Sequence, residues 1–169
     1  GGMRFHGFCE ALISTGETTA MIFLILLGAA IFNAFLGFSE LPNLAADFFQ
    51  HSGFSPFTIL LGMIGLYILL GFVMDSLSMI LLTIPIFFPV ISALDFGLNP
   101  TETAIWFGIL MLVVVEVGLI TPPIGLNVII ISSMAKNISM SQTFRGVIPF
   151  FVSDMIRVFL LISFPALTL

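Results

Sequence analysis

The sequence predicts an all-α, polytopic membrane protein whose helices are interrupted in mid-course. Three observations carry that reading. Of 169 residues, 59% are hydrophobic and only 8% are charged, against about 25% charged in soluble domains. Mean hydropathy is +1.25. Long apolar runs are broken by Gly, Pro and polar residues in their middles, not only at their ends. Four Lys/Arg and nine Asp/Glu cannot clothe a soluble surface, and four basic residues do not suit a nucleic-acid binder. The single Cys9 allows no internal disulfide. No stretch has the form of a cleaved signal peptide. The chain opens Gly1-Gly2-Met3 and stops at Leu169 within an apolar run, so a place within a longer protein is expected.

Residues Met3–Ser14 mix Phe5, Phe8, Leu12 and Ile13 with Arg4, His6 and Glu10. They are too short to span and read as an amphipathic interfacial helix occupying 1–16, or as an ordinary connecting helix. Thr18–Gly37 is an uncharged run broken only by Asn33. Its helical length of ~30 Å matches the hydrocarbon thickness of a bilayer. With Pro42 and the weakly amphipathic Asn43–Gln50 it makes either a span and a loop or, over 17–50, a re-entrant hairpin with its tip near Ser39–Pro42.

Residues 57–94 carry one charge, Asp75, flanked by Gly71, Ser76 and Ser78 and followed by Pro85 and Pro89. The run is too long for one straight span and short for two, so two half-helices meeting at a polar junction are expected. Residues 103–136 repeat the plan: an apolar half ends at Glu116 and Gly118, then Thr121-Pro122-Pro123-Ile124-Gly125 and Asn127 lead into a second apolar half. Two successive prolines withdraw two backbone donors and bend the preceding residue out of the α region. The last span, 146–169, holds Asp154 and Arg157 three apart, spaced to pair on one helix face. Arg4, Lys136 and Arg145 are the loop cations and do not fix an orientation.

A helix broken inside hydrocarbon survives only where protein or water meets its freed backbone groups. Such breaks serve transporters: half-helix N-termini face anions and unwound carbonyls coordinate Na⁺. A carboxylate at that depth costs at least ~2.5–3.5 kcal/mol on insertion scales and needs a partner. Asp75 is therefore read as an ion ligand or proton carrier, with helix N-capping through Asp-Ser-Leu-Ser as the other reading. Ser76 and Ser78 offer hydroxyls or bond back to their own helix. Thr121 offers a hydroxyl and a carbonyl, both hard oxygen donors. Glu116, expected buried, is read as structural, and Asn127 either meets substrate or satisfies loose carbonyls. Catalysis is disfavoured, because His6 and His51 lie outside the long apolar runs, no His/Cys metal cluster exists and nothing about Asp75 and Asp154 suggests a dyad. The twenty Phe and nine Met read as packing and lipid-facing residues.

The runs GFVMDSLSMILLTIPIFFPV, FGILMLVVVEVGLITPPIGLNVIII and VIPFFVSDMIRVFLLISFPALTL resemble the C-terminal half of the large membrane subunit of TRAP (tripartite ATP-independent periplasmic) transporters. The resemblance covers essentially the whole chain. It implies the second inverted repeat of an elevator-type transporter, with residues 1–16 as an arm and 17–50 as the hairpin. It implies Na⁺ as coupling ion, held where the breaks at Asp75 and Thr121–Gly125 meet. Asp75 and Thr121 would be ligands, with carbonyls near Gly118 and Pro122. Pro123 would help hold the unwound geometry, Gly125 would admit the second half-helix, and Ser76, Ser78 and Asn127 would line the junction. It further implies a small membrane subunit, a periplasmic substrate-binding protein and the first half of the large subunit as partners, a bacterial or archaeal cytoplasmic membrane, and small organic acids such as C4-dicarboxylates or sialic acids as substrates. Ser76 departs from the family, which often has proline after the aspartate. Another ion-coupled anion transporter, working without a binding protein, and a non-transporting membrane subunit are the alternatives.

Overall fold

A computed structural model describes residues 5–122, 125–134 and 139–169. The expectations placed on Pro123, Ile124, Lys136, Met3 and Arg4 lie outside them. Seven α-helices account for nearly all of it, with no strand among the described residues: α1 (Phe5–Ser39), α2 (Leu41–His51), α3 (Pro56–Leu70), α4 (Ser76–Ser92), α5 (Pro100–Ile120), α6 (Leu126–Met134) and α7 (Met140–Ser163). Three of them, α1, α5 and α7, are long and apolar enough to cross a membrane.

Local sequence sets the helix starts. Ser55 caps α3 with Pro56 as the first helical residue, whose missing N–H costs nothing there. Asn99 and Glu102 close a reciprocal capping box on α5, with bonds of 2.9 and 3.0 Å. Ser139 and Gln142 do the same for α7.

The boundary expected at residue 16 leaves no break. Gly16 sits inside an unbroken 35-residue helix, ~52 Å long at 1.5 Å per residue. A helix break falls at Glu40, which adopts φ 54° and ψ 12°. The helix it leads to, α2, has only 11 residues and packs against α4, with Gln50 Nε2 donating to the carbonyl of Ala93, the residue just after α4 (2.7 Å).

The hairpin with two apolar arms of matching length is α3–α4. The expected break is there, at 71–75, but the halves do not follow one another along one axis. Tyr67 and Thr83, each eight residues from Asp75, share a hydrogen bond. The Phe57 and Phe96 rings, at the open ends, meet at 5.7 Å. Two collinear half-helices would hold Tyr67 and Thr83 more than ~20 Å apart, so the arms are antiparallel. Pairing of the two arms explains the fold-back: Tyr67 is fully buried and its ring stands edge-on to Phe87 at 5.4 Å.

The central helix is α5. It buries Trp106, Phe107, Leu110, Met111, Val114 and Val115 among others. Its first half packs at the open end of the hairpin, through Phe96–Trp106 (5.1 Å) and Phe88–Phe107 (6.4 Å), and its last turns reach the hairpin tip. Near its end α7 accepts the Trp106 indole N–H at Leu161 O (2.7 Å), which ties the last turns of α7 to the first turns of α5. After the interruption at Thr121–Gly125, α6 packs chiefly against the end of α5 and against α7.

Candidate functional site: two helix interruptions in contact

The hairpin tip and the α5–α6 interruption adjoin at two glycines. A Cβ on Gly71 would lie 2.5 Å from the carbonyl carbon and 2.7 Å from the Cα of Gly118. Real Cβ atoms do not approach backbone so closely, so only glycine fits. Gly118 in turn sits 3.1 Å, by the same construction, from the Tyr67 carbonyl oxygen. Gly125 is equally confined: its Cβ would meet Leu119 O at 2.7 Å and Ile120 C at 2.8 Å. The second interruption is thus a tight fold of backbone on backbone.

Asp75 takes the geometry of an N-cap. Its Oδ1 accepts the Ser78 N–H (3.0 Å) and its Oδ2 accepts the Ser78 hydroxyl (2.6 Å). The residue is exposed in this chain, so the capping role is real and leaves lone pairs open, since a carboxylate has about four acceptor sites. Thr121 likewise bonds inward. Its hydroxyl donates to Val117 O (2.6 Å), its N–H reaches Gly118 O (3.4 Å), and its carbonyl accepts the Gly125 N–H (2.9 Å). Ser78 and Thr121 have therefore committed their hydroxyl protons within the chain. What they can still offer is lone pairs. The contact that joins the two interruptions is Gly71–Gly118, while Asp75 bonds to Ser78 and Thr121 to Val117, each within its own helix end. Among the described residues, the carbonyls of Gly71 to Met74 accept no backbone hydrogen bond.

Helix ends add to the field. The C-termini of α3 and α5 and the N-termini of α4 and α6 all stand at the interruptions. The C-terminal carbonyls favour a cation, and the N-terminal N–H groups favour an anion. Ser76 and Ser78 at the start of α4 and Asn127 at the start of α6 are half-buried, whereas Pro122 is exposed.

One residue differs from expectation and one pair agrees with it. Glu116 is exposed on α5, not buried, because α5 turns its buried side toward the hairpin and α7 and leaves Glu116 on the other. Asp154 and Arg157 do pair, Arg157 donating to Asp154 Oδ1.

The chain matches the family model described as "Tripartite ATP-independent periplasmic transporter, DctM component" over residues 1–167. It belongs to that family. The sialic acid TRAP transporter large permease protein SiaM of Vibrio cholerae is 32% identical over 99% of this chain. The C4-dicarboxylate large permease protein DctM of Pseudomonas aeruginosa is 30% identical over 99%. The 2,3-diketo-L-gulonate large permease protein YiaN of Escherichia coli is 28% identical over 88%. The chain spans only 38%, 38% and 33% of those relatives' lengths. It is thus a multi-pass membrane segment of a TRAP large permease, and not an enzyme. In this light the interruptions are features of a permease, and the Gly71–Gly118 contact is the part that sequence reading did not supply. Gly71 and Gly118 were visible as glycines flanking breaks. That they touch was not, because sequence shows where a helix stops but not what it meets.

Proposed function

We propose that this chain is one half of a large permease that imports small organic acids with Na⁺, and that it holds one Na⁺ site. The observation that carries the reading is the meeting of a hairpin tip with a helix interruption at Gly71 and Gly118, lined by oxygen acceptors. Asp75 and Thr121 are the Na⁺ ligands, with the Gly118 and Pro122 carbonyls completing the set, and Ser76, Ser78, Gly125 and Asn127 line the junction. In-chain bonds already consume the hydroxyl protons of Ser78 and Thr121, so a cation faces lone pairs.

In this reading α3–α4 re-enters the membrane, and the chain is the second of two inverted repeats that move together as an elevator. The remainder of the large subunit supplies the matching half of the site. A small membrane subunit completes the membrane part in the cytoplasmic membrane, and a periplasmic binding protein delivers the substrate. Relatives whose names carry sialic acid and C4-dicarboxylate support a carboxylate-bearing substrate.

The test is uptake of a panel of radiolabelled organic acids into proteoliposomes holding the complete permease, small subunit and binding protein. Saturable uptake that requires a Na⁺ gradient and the binding protein is expected. Uptake indifferent to Na⁺ would overturn the coupling-ion assignment, and uptake without the binding protein would place the chain with other ion-coupled anion carriers.

A further inference from the structure

A cleft of mixed polarity lies where α1 gives way to α2 against the later part of α4. It is a cleft of about 260 Å³ lined by Asn33, Leu36, Gly37, Glu40, Pro42, Asn43, Pro85 and Pro89. Asn33, Leu36, Gly37 and Glu40 follow the spacing of one helix face. Asn33 Oδ1 is buried and has no hydrogen-bond partner. Buried polar atoms are nearly always partnered, and an exception calls for an unseen water, ion or ligand. An orphaned acceptor asks for something positive or a donor.

The surroundings point toward positive charge. Glu40 brings the cleft's only formal charge, on a backbone held at φ 54°. A glutamate in the left-handed region is uncommon, since Gly or Asn sits there at lower cost. The C-terminal end of α1, a 35-residue helix, supplies the negative pole of its dipole beside Leu36 and Gly37. The N-terminus of the shorter α2 opposes part of that field, so the Glu40 carboxylate decides the sign. On the facing wall, Pro85 and Pro89 lack N–H groups and withdraw the donors that the Leu81 and Pro85 carbonyls would meet in an unbroken helix. No His or Cys lines the cleft. The donors are hard oxygens with one formal charge, which suits a monovalent cation better than a soft or divalent metal.

We propose that the Asn33–Glu40–Asn43 cleft binds a monovalent cation. A free alkali ion and the ammonium group of a phosphatidylethanolamine headgroup both supply that chemistry. The inference does not rest on the junction being a Na⁺ site.

The test uses the full chain in nanodiscs, with ²²Na⁺ binding as one readout and native mass spectrometry of retained lipid as the other. Both are run in the Asp75→Asn background to remove a junction contribution, and helix content by circular dichroism confirms folding. In phosphatidylcholine discs, saturable ²²Na⁺ binding that weakens at least tenfold in Glu40→Gln, and is regained in Glu40→Asp, supports the site with an alkali ion as occupant. Retention of phosphatidylethanolamine that is lost in Glu40→Gln supports it with the headgroup as occupant. If neither ²²Na⁺ binding nor lipid retention responds to Glu40→Gln or Asn33→Leu, the cleft is not a cation site.

Discussion

Gly71 of the hairpin tip and Gly118 of α5 touch backbone to backbone, so closely that a Cβ on Gly71 would stand 2.5 Å from the Gly118 carbonyl carbon. The obstructing atoms are main chain and cannot swing aside as a side-chain tip would. The contact locks two interruptions together that are 47 residues apart in sequence (118 − 71).

Gly71→Ala is therefore expected to destabilise the protein by ~1–3 kcal/mol, the usual cost of overpacking, and to abolish uptake by the assembled permease. Gly62→Ala is the control. Its Cβ meets nothing within 4 Å, and replacing a mid-helix glycine by alanine gains roughly 0.5–1 kcal/mol. Thermal unfolding in detergent should move the two variants in opposite directions. A Gly71→Ala protein as stable as the parent would mean the tip is not seated on α5.

Asp75 has two readings that one substitution separates. Asparagine caps helices as well as aspartate does, whereas alanine costs about 0.5–2 kcal/mol at an N-cap. Asp75→Asn should leave the melting temperature nearly unchanged yet weaken the Na⁺ dependence of uptake at least tenfold. Asp75→Ala should lose both. Unaltered Na⁺ dependence in Asp75→Asn would reduce Asp75 to a cap.

The antiparallel hairpin rests on a buried relay: the Tyr67 hydroxyl donates to Thr83 Oγ1, which donates to Met79 O. Tyr67→Phe leaves Thr83 with its own acceptor and should cost about 0.5–1.5 kcal/mol. Thr83→Val strands a buried hydroxyl and should cost more, ~1–3 kcal/mol. In a double-mutant cycle the paired change should cost less than the sum of the two. Strict additivity would mean the hydroxyls do not interact, and the fold-back would need another cause.

Much of this architecture was legible before any coordinates. Pro56, Pro100 and the Ser139/Gln142 box mark helix starts by local chemistry. Gly71–Asp75 and Thr121–Gly125 announce breaks, because helix cannot pass two prolines or a capping aspartate unchanged. The Asp154–Arg157 pair follows from a spacing of three. What sequence could not tell is direction. A break reads the same whether the next helix continues or turns back, and the choice for α3–α4 was made by contacts such as Tyr67–Thr83 and Phe57–Phe96, which span 16 and 39 residues. The arm expected over 1–16 failed differently, because a change of polarity along the chain does not end a helix. An isolated glycine is a modest cost in a helix, ~1 kcal/mol, which the long apolar α1 absorbs without breaking. Glu116 misled because a carboxylate near a break was expected to face inward, whereas the side of α5 it occupies is open in this chain.

The clamp between the central helix and the last span gives the most accessible test. Trp106 is fully buried on α5 and donates its indole N–H to Leu161 O on α7 at 2.7 Å. The Leu161 carbonyl already sits near the α7 end, where the helix supplies fewer backbone donors. Trp106→Phe removes the donor and part of the ring, leaving both a cavity and a weakened carbonyl. Hydrogen-bond loss of ~1 kcal/mol and lost packing together should lower stability by ~2–4 kcal/mol. Trp106 is also the chain's only tryptophan. Its emission should therefore be blue-shifted in the folded protein and shielded from aqueous acrylamide. A Leu161→Pro substitution, which distorts the α7 end, should red-shift it and admit the quencher. Emission already red and quenchable in the parent chain would show that α7 is not docked on α5.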